Sequence, residues 1–83
     1  MSTFVKIKAL RPSLSSSEEK LADFTLTSAN AIRDLSSIEL AKAAGVSQSS
    51  VVKFSQKLGY KGFPAFKLAV IDALNGEPSE PKP

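Results

Sequence analysis

One stretch, Leu40 to Phe54 (Leu-Ala-Lys-Ala-Ala-Gly-Val-Ser-Gln-Ser-Ser-Val-Val-Lys-Phe), constrains this chain more than any other. A helix-forming segment runs into Gly45, and a second one opens behind Ser47. Glycine takes the left-handed conformation that a sharp helix exit needs. A serine hydroxyl satisfies the free N–H groups at the start of the next helix. Two short helices joined so tightly must cross at a steep angle, which is the geometry of a helix-turn-helix unit.

The flanking residues agree with this reading. Ser36 followed by Glu39 is a capping box, so the first helix of the unit should begin near Ser37. Its apolar side is expected to be Ile38, Leu40, Ala41 and Ala44. Ala41 is small where the second helix crosses close to it, and Val46 is expected to plug the turn. The second helix should run from the Ser47 cap to about Leu58 and close at Gly59, with Val51, Phe54 and Leu58 turned inward at helical spacing.

That leaves Gln48, Ser49, Val52, Lys53 and Gln56 turned outward. A helix-turn-helix unit lays its second helix in the major groove of duplex DNA. Gln48 offers a donor and an acceptor to an adenine edge, Ser49 suits either base type, and Val52 can touch a thymine methyl. Lys53 reaches guanine or a phosphate. Ser47 and Ser50 stand near free backbone N–H groups that attract phosphate oxygens. The plainer alternative is a solvated polar face with Ser47 acting only as a cap.

Composition narrows the field. Eighty-three residues form one domain with a small core. There is no cysteine, hence no disulfide framework or thiolate metal site, and no histidine, the commonest general base and zinc ligand. No cofactor or metal is expected. No apolar run approaches a membrane span and no signal-peptide pattern opens the chain, so a cytoplasmic location is the default. The net charge of +3 is unevenly spread. Residues 36–67 hold five lysines (Lys42, Lys53, Lys57, Lys61 and Lys67) against the single acid Glu39, a balance of +4. Residues 1–35 hold five basic and four acidic groups, and residues 68–83 one and three. Positive charge therefore gathers on the helix-turn-helix and the segment just after it, as phosphate binding requires. Lys53 and Lys57 would also favour the negative end of their own helix, and the two roles are compatible.

The rest of the chain reads as further helices, giving an all-α bundle with no sheet. Phe4, Val5, Ile7 and Leu10 suggest a first helix ended by Pro12. Ser15 and Glu18 form a second capping box, starting a helix from about Ser16 to Thr27 that buries Leu21, Ala22 and Phe24 and ends raggedly at its threonines. Asn30 to Asp34 should add one helical turn, with Ile32 and Leu35 inward. Pro64 is placed to be the first residue of a last helix reaching Asn75. One face of that helix carries Phe66, Val70, Ala73 and Leu74, and a second apolar stripe carries Leu68 and Ile71. Either the first helix or another subunit should cover the second stripe. Residues 76–83 are Pro-rich and polar, the composition of a linker or disordered tail.

These residues together resemble the N-terminal domain of RpiR-type bacterial transcription regulators. The resemblance rests on the run from Ile38 to Ser47, then Val51-Val52-Lys53-Phe54, then Lys57-Leu58-Gly59-Tyr60-Lys61-Gly62-Phe63. The Leu14-Ser15 helix start, Glu18 to Phe24 and Phe66-Lys67-Leu68-Ala69 extend it to roughly residues 3–75. It implies a helical DNA-binding domain followed by a linker and a sugar-isomerase-type domain that senses a phosphorylated sugar. It also implies control of sugar-catabolism genes by a dimer or higher oligomer. The chain stops at Pro83, where the effector domain should begin, so the expectation is an isolated N-terminal domain over residues 1–75 with the phosphosugar site elsewhere. Carried across by position, the resemblance supports Ser47, Gln48, Ser49, Ser50, Lys53 and Lys57 as DNA-facing, with Lys61 a phosphate contact.

Two other classes compete. A protein-interaction or dimerisation module would use Phe66, Val70, Leu68 and Ile71 of the last helix. An enzyme is the weakest reading. Glu18, Glu19 and Asp23 lie along one helix where solvated carboxylates are the norm, and no phosphate-cradling glycine loop is present.

Overall fold

The structure, a computed structural model, describes residues 3–75. Those residues form six α-helices and no strand: α1 (Thr3–Leu10), α2 (Ser16–Thr27), α3 (Ala29–Ile32), α4 (Ser37–Ala44), α5 (Gln48–Lys57) and α6 (Phe63–Leu74). A 3-10 turn, Arg11–Ser13, carries Pro12 between α1 and α2. The tail expected over residues 76–83 lies outside the described residues.

Both capping boxes form. Ser15 Oγ accepts from the Glu18 N–H at 3.3 Å while the Ser15 N–H donates to Glu18 Oε1 at 2.8 Å. Ser36 and Glu39 repeat the exchange at 3.2 and 2.9 Å. Each box satisfies two helix-end groups and so fixes where α2 and α4 begin. The exits are equally defined. Gly45 adopts φ 75°, and the N–H groups of Gly45 and Val46 donate to the carbonyls of Lys42 and Ala41 at 3.2 and 2.9 Å. Gly59, at φ 98°, closes α5 with the same double bond pattern from Gly59 to Gln56 and from Tyr60 to Ser55, each 3.0 Å.

Every helix contributes to one core. Ile7, Leu21, Ile32, Leu40, Val51, Phe54, Phe66 and Val70 are fully inaccessible. Phe54 of α5 meets Phe66 of α6 edge to face, with centroids 5.5 Å apart. Tyr60 and Phe63 flank Phe66 at 6.1 and 6.2 Å, so the Leu-Gly-Tyr-Lys-Gly-Phe turn folds over the aromatic centre. Tyr60 also donates its hydroxyl to Thr3 Oγ1 at 3.1 Å, and Lys6 stands over its ring at 4.9 Å, which fastens α1 to this turn.

Several expectations need correction. Ile38 is 52% exposed instead of joining the α4 apolar side, because it lies about 200° around the helix from Leu40. Val46 is half-buried, packed against the core without plugging it. In α2 Leu21 and Ala22 are fully buried as expected, but the third fully buried position is Thr25, and Phe24 is only half-buried. The Thr25 hydroxyl donates to the Leu21 carbonyl at 2.8 Å, which removes the cost of burying it. The turn placed at Asn30 to Asp34 begins one residue earlier, at Ala29, with Ile32 buried and Leu35 half-buried. Helix α6 starts at Phe63, with Pro64 second. The first helix packs on α6 yet leaves Leu68 60% exposed and Ile71 half-buried. Phe66 and Val70 are interior, so only Leu68 and Ile71 remain of the four residues assigned to an interaction face.

Candidate nucleic-acid interface

The outward face of α5 is dictated by its inward face. Val51, Phe54 and Ser55 are completely buried, and Leu58, capping the helix, nearly so. Helical spacing of apolar residues does not mark Ser55 as interior. Its hydroxyl donates to the Val51 carbonyl at 2.9 Å, so a small polar side chain sits in the core without an unmet donor. With this face fixed, Ser47, Gln48, Ser49, Lys53, Gln56 and Lys57 are exposed, and Ser50 and Val52 are half-buried.

The N-terminal end of this face is a cluster of small hydroxyls. Ser47 Oγ accepts the Ser50 N–H at 3.2 Å, and its oxygen lies 3.1 Å from Ser49 Oγ and 3.0 Å from Ser50 Oγ. Gln48, the first residue of α5, donates from Nε2 to Ser37 Oγ, the first residue of α4, at 2.9 Å. Serines and a glutamine at a helix start can bond phosphate oxygens and base edges alike.

The lysines divide into two groups. Lys53 and Lys61 are exposed, and among the described residues neither ammonium has a hydrogen-bond or ion-pair partner. Lys61 sits in the turn after α5, where its carbonyl receives the Gln56 amide at the long distance of 3.5 Å. Lys57 is engaged within the fold. Its ammonium donates to the Ser13 carbonyl at 3.0 Å and pairs with Glu18 at 3.2 Å. Lys67 likewise donates to the Leu35 carbonyl at 3.1 Å, closing the turn behind α3. Sequence spacing cannot distinguish these groups, since the partners of Lys57 and Lys67 lie on remote elements.

Among the described residues two carboxyls are perturbed, and both belong to caps. Glu18 is held below its ordinary range by the Ser15 backbone N–H, against the opposing effect of burial, with Lys57 and the Ser15 hydroxyl adding to the lowering. Glu39 is lowered in the same way by the Ser36 backbone N–H and hydroxyl. Neither fits an acid–base pair in a cleft. No group of residues fit to hold a metal, and no helix long and apolar enough to cross a membrane, occurs among the described residues.

Comparison with known proteins agrees with this geometry. Residues 1–77 match the model of the helix-turn-helix domain, rpiR family. The chain is 53% identical over 81 residues to the uncharacterized HTH-type transcriptional regulator YfhH of Escherichia coli K12, covering 98% of this chain. It spans 29% of the length of that regulator. Among solved structures it resembles the N-terminal domain of the putative transcriptional regulator ybbH from Bacillus subtilis, with a TM-score of 0.79 at 28% identity, over 95% of this chain and 92% of the other. The packing of α5 on α4, the Gly45 exit, the Ser47 cap and these matches lead to one conclusion: the chain belongs to the rpiR family of helix-turn-helix domains, a DNA-binding and non-enzymatic class of transcription regulators.

Proposed function

We propose that this domain binds duplex DNA with sequence preference, with α5 lying in the major groove. The observation that carries this reading is the exposed edge of α5 opposite Val51, Phe54 and Ser55, with polar residues at its start and free Lys53 further along. Gln48, Ser49, Val52, Lys53 and Gln56 are the base-facing set. Ser47, Ser50 and Lys61 contact phosphates. Lys57 enters as a scaffold residue, since its ammonium is already taken by Glu18 and Ser13.

The whole regulator, of which this domain is the DNA-reading part, controls sugar-catabolism genes in the cytoplasm. It responds to a phosphosugar bound by a further domain. The support is the family match together with the small share of YfhH that the chain spans. The regulator acts as a homodimer, so its two α5 helices lie about 34 Å apart, or a multiple of that, on a palindromic operator. The exposed Leu68 and half-buried Ile71 favour α6 as part of the contact between copies.

Selection of bound duplexes from a random pool tests the reading. The expected result is an enriched sequence. Gln48→Ala should cost about 1–3 kcal/mol on that sequence and relax preference at one or two base pairs. A pool that yields no enrichment, or a Gln48→Ala variant with undiminished preference, overturns it.

A further inference from the structure

We propose that Ser37 is a positioning residue for base recognition: its hydroxyl orients the Gln48 side-chain amide so that the opposite edge is presented to an adenine. The inference rests on the DNA-binding reading above and adds to it a residue on α4 that itself reads no base. Gln48 opens the recognition helix, is exposed, and has a long side chain with several staggered choices. Among the described residues its side chain has one hydrogen bond, from Nε2 to Ser37 Oγ at 2.9 Å.

The planarity of the amide gives that bond its consequence. The Nε2 group carries two N–H bonds, one on the same edge as Oε1 and one on the far side. We take the far hydrogen to be the one on Ser37, which leaves Oε1 and the remaining N–H as a free donor–acceptor edge. That pair complements the N6 amino group and N7 of adenine, the bidentate contact glutamine makes in the major groove. A side chain ordered before binding loses less freedom when it binds.

Adjacent serines have separate duties here. Ser36 supplies the α4 capping box with Glu39. The Ser37 hydroxyl takes no part in that cap, and among the described residues its hydrogen bond is to Gln48. Removing it therefore leaves the start of α4 intact, which allows recognition to be tested apart from folding.

The test uses the preferred duplex recovered from a random pool, the same duplex with each base pair replaced in turn, and a random-sequence duplex. Each is titrated with wild type, Ser37→Ala, Ser37→Thr, Gln48→Ala and the Ser37→Ala/Gln48→Ala double variant. Gln48→Ala should lower discrimination at one A·T pair by about tenfold. Ser37→Ala should lower it at the same pair by roughly threefold, because the amide still reaches the base but is no longer pre-oriented. Random-duplex affinity and thermal midpoint should hold, Ser37→Thr should restore discrimination, and Ser37→Ala should add nothing in the Gln48→Ala background. Full discrimination in Ser37→Ala, or an equal loss from it in both backgrounds, overturns the role of Ser37 while leaving DNA binding intact. A wild type that enriches no sequence overturns the DNA-binding reading and this inference with it.

Discussion

Lys57 of α5 and Glu18 of α2 form an ion pair at 3.2 Å, and the same ammonium donates to the Ser13 carbonyl at 3.0 Å. One cation thus joins the end of α5, the turn before α2 and the α2 capping box. The Glu18 side chain is nearly buried while that of Lys57 is about a third exposed, so the interaction is screened on one side only. Lys57→Ala should lower stability by about 1 kcal/mol, a fall of roughly 4–8 °C in melting temperature for a domain of this size. It should weaken DNA binding less than Lys53→Ala does. Calorimetry alongside duplex titration checks both parts, and the reverse ranking in affinity would return Lys57 to the interface.

Glu18 also makes stability depend on pH. Its carboxyl is held down first by the Ser15 backbone N–H, with burial opposing and Lys57 assisting. A carboxyl with a lowered folded-state pKa stabilises fully above its unfolded value, and that contribution disappears as pH falls through the folded value. Urea unfolding from neutral pH to about pH 3 should therefore show wild type losing more stability than Glu18→Gln, with the two converging in acid. Parallel pH profiles for the two proteins would refute the assignment.

Much of this fold is legible in the sequence because its boundaries are set locally. Ser15 with Glu18, Ser36 with Glu39, Gly45 and Ser47 each act within a few residues, and each takes the expected conformation. Inward faces are less legible where polarity misleads. Thr25 and Ser55 are interior because their hydroxyls return to carbonyls four residues back, an arrangement that composition alone does not announce. Ile38 errs the other way, as an apolar side chain at a position where helical phase points to solvent. The candidate site divides along the same line. The α5 face can be read from its period, whereas the engagement of Lys57 and Gln48 depends on α2 and α4, which pack against α5 at distances in sequence no local pattern reports.

Gly45 is favoured at its position for a conformational reason only. A Cβ built there meets nothing within 4 Å, yet the residue sits at φ 75°. Gly45→Ala should cost about 1–2 kcal/mol, the penalty of the left-handed region for an L-residue, with no steric addition. Because the α4–α5 angle passes through this residue, DNA affinity should fall along with the denaturation midpoint. Gly45→Asn should recover part of both, since asparagine tolerates that region better. If alanine is tolerated without loss, the double hydrogen bond from Gly45 and Val46 does not set the crossing.

Lys53 and Lys61 should account for the salt dependence of binding. Both are exposed and, among the described residues, uncommitted, one on α5 and one in the turn beyond it. A lysine that neutralises one phosphate releases about one counterion, so replacing it by alanine should make the slope of log affinity against log salt shallower by about one. Lys61→Ala should do this equally for preferred and random duplexes, because a phosphate contact carries no sequence information. Lys53→Ala should do it with an added loss of preference if its ammonium also reaches a guanine edge. Titrations at several salt concentrations on both duplexes separate the cases. A slope unchanged in the double Lys53→Ala/Lys61→Ala variant would mean that the basic face of this domain does not meet the DNA backbone.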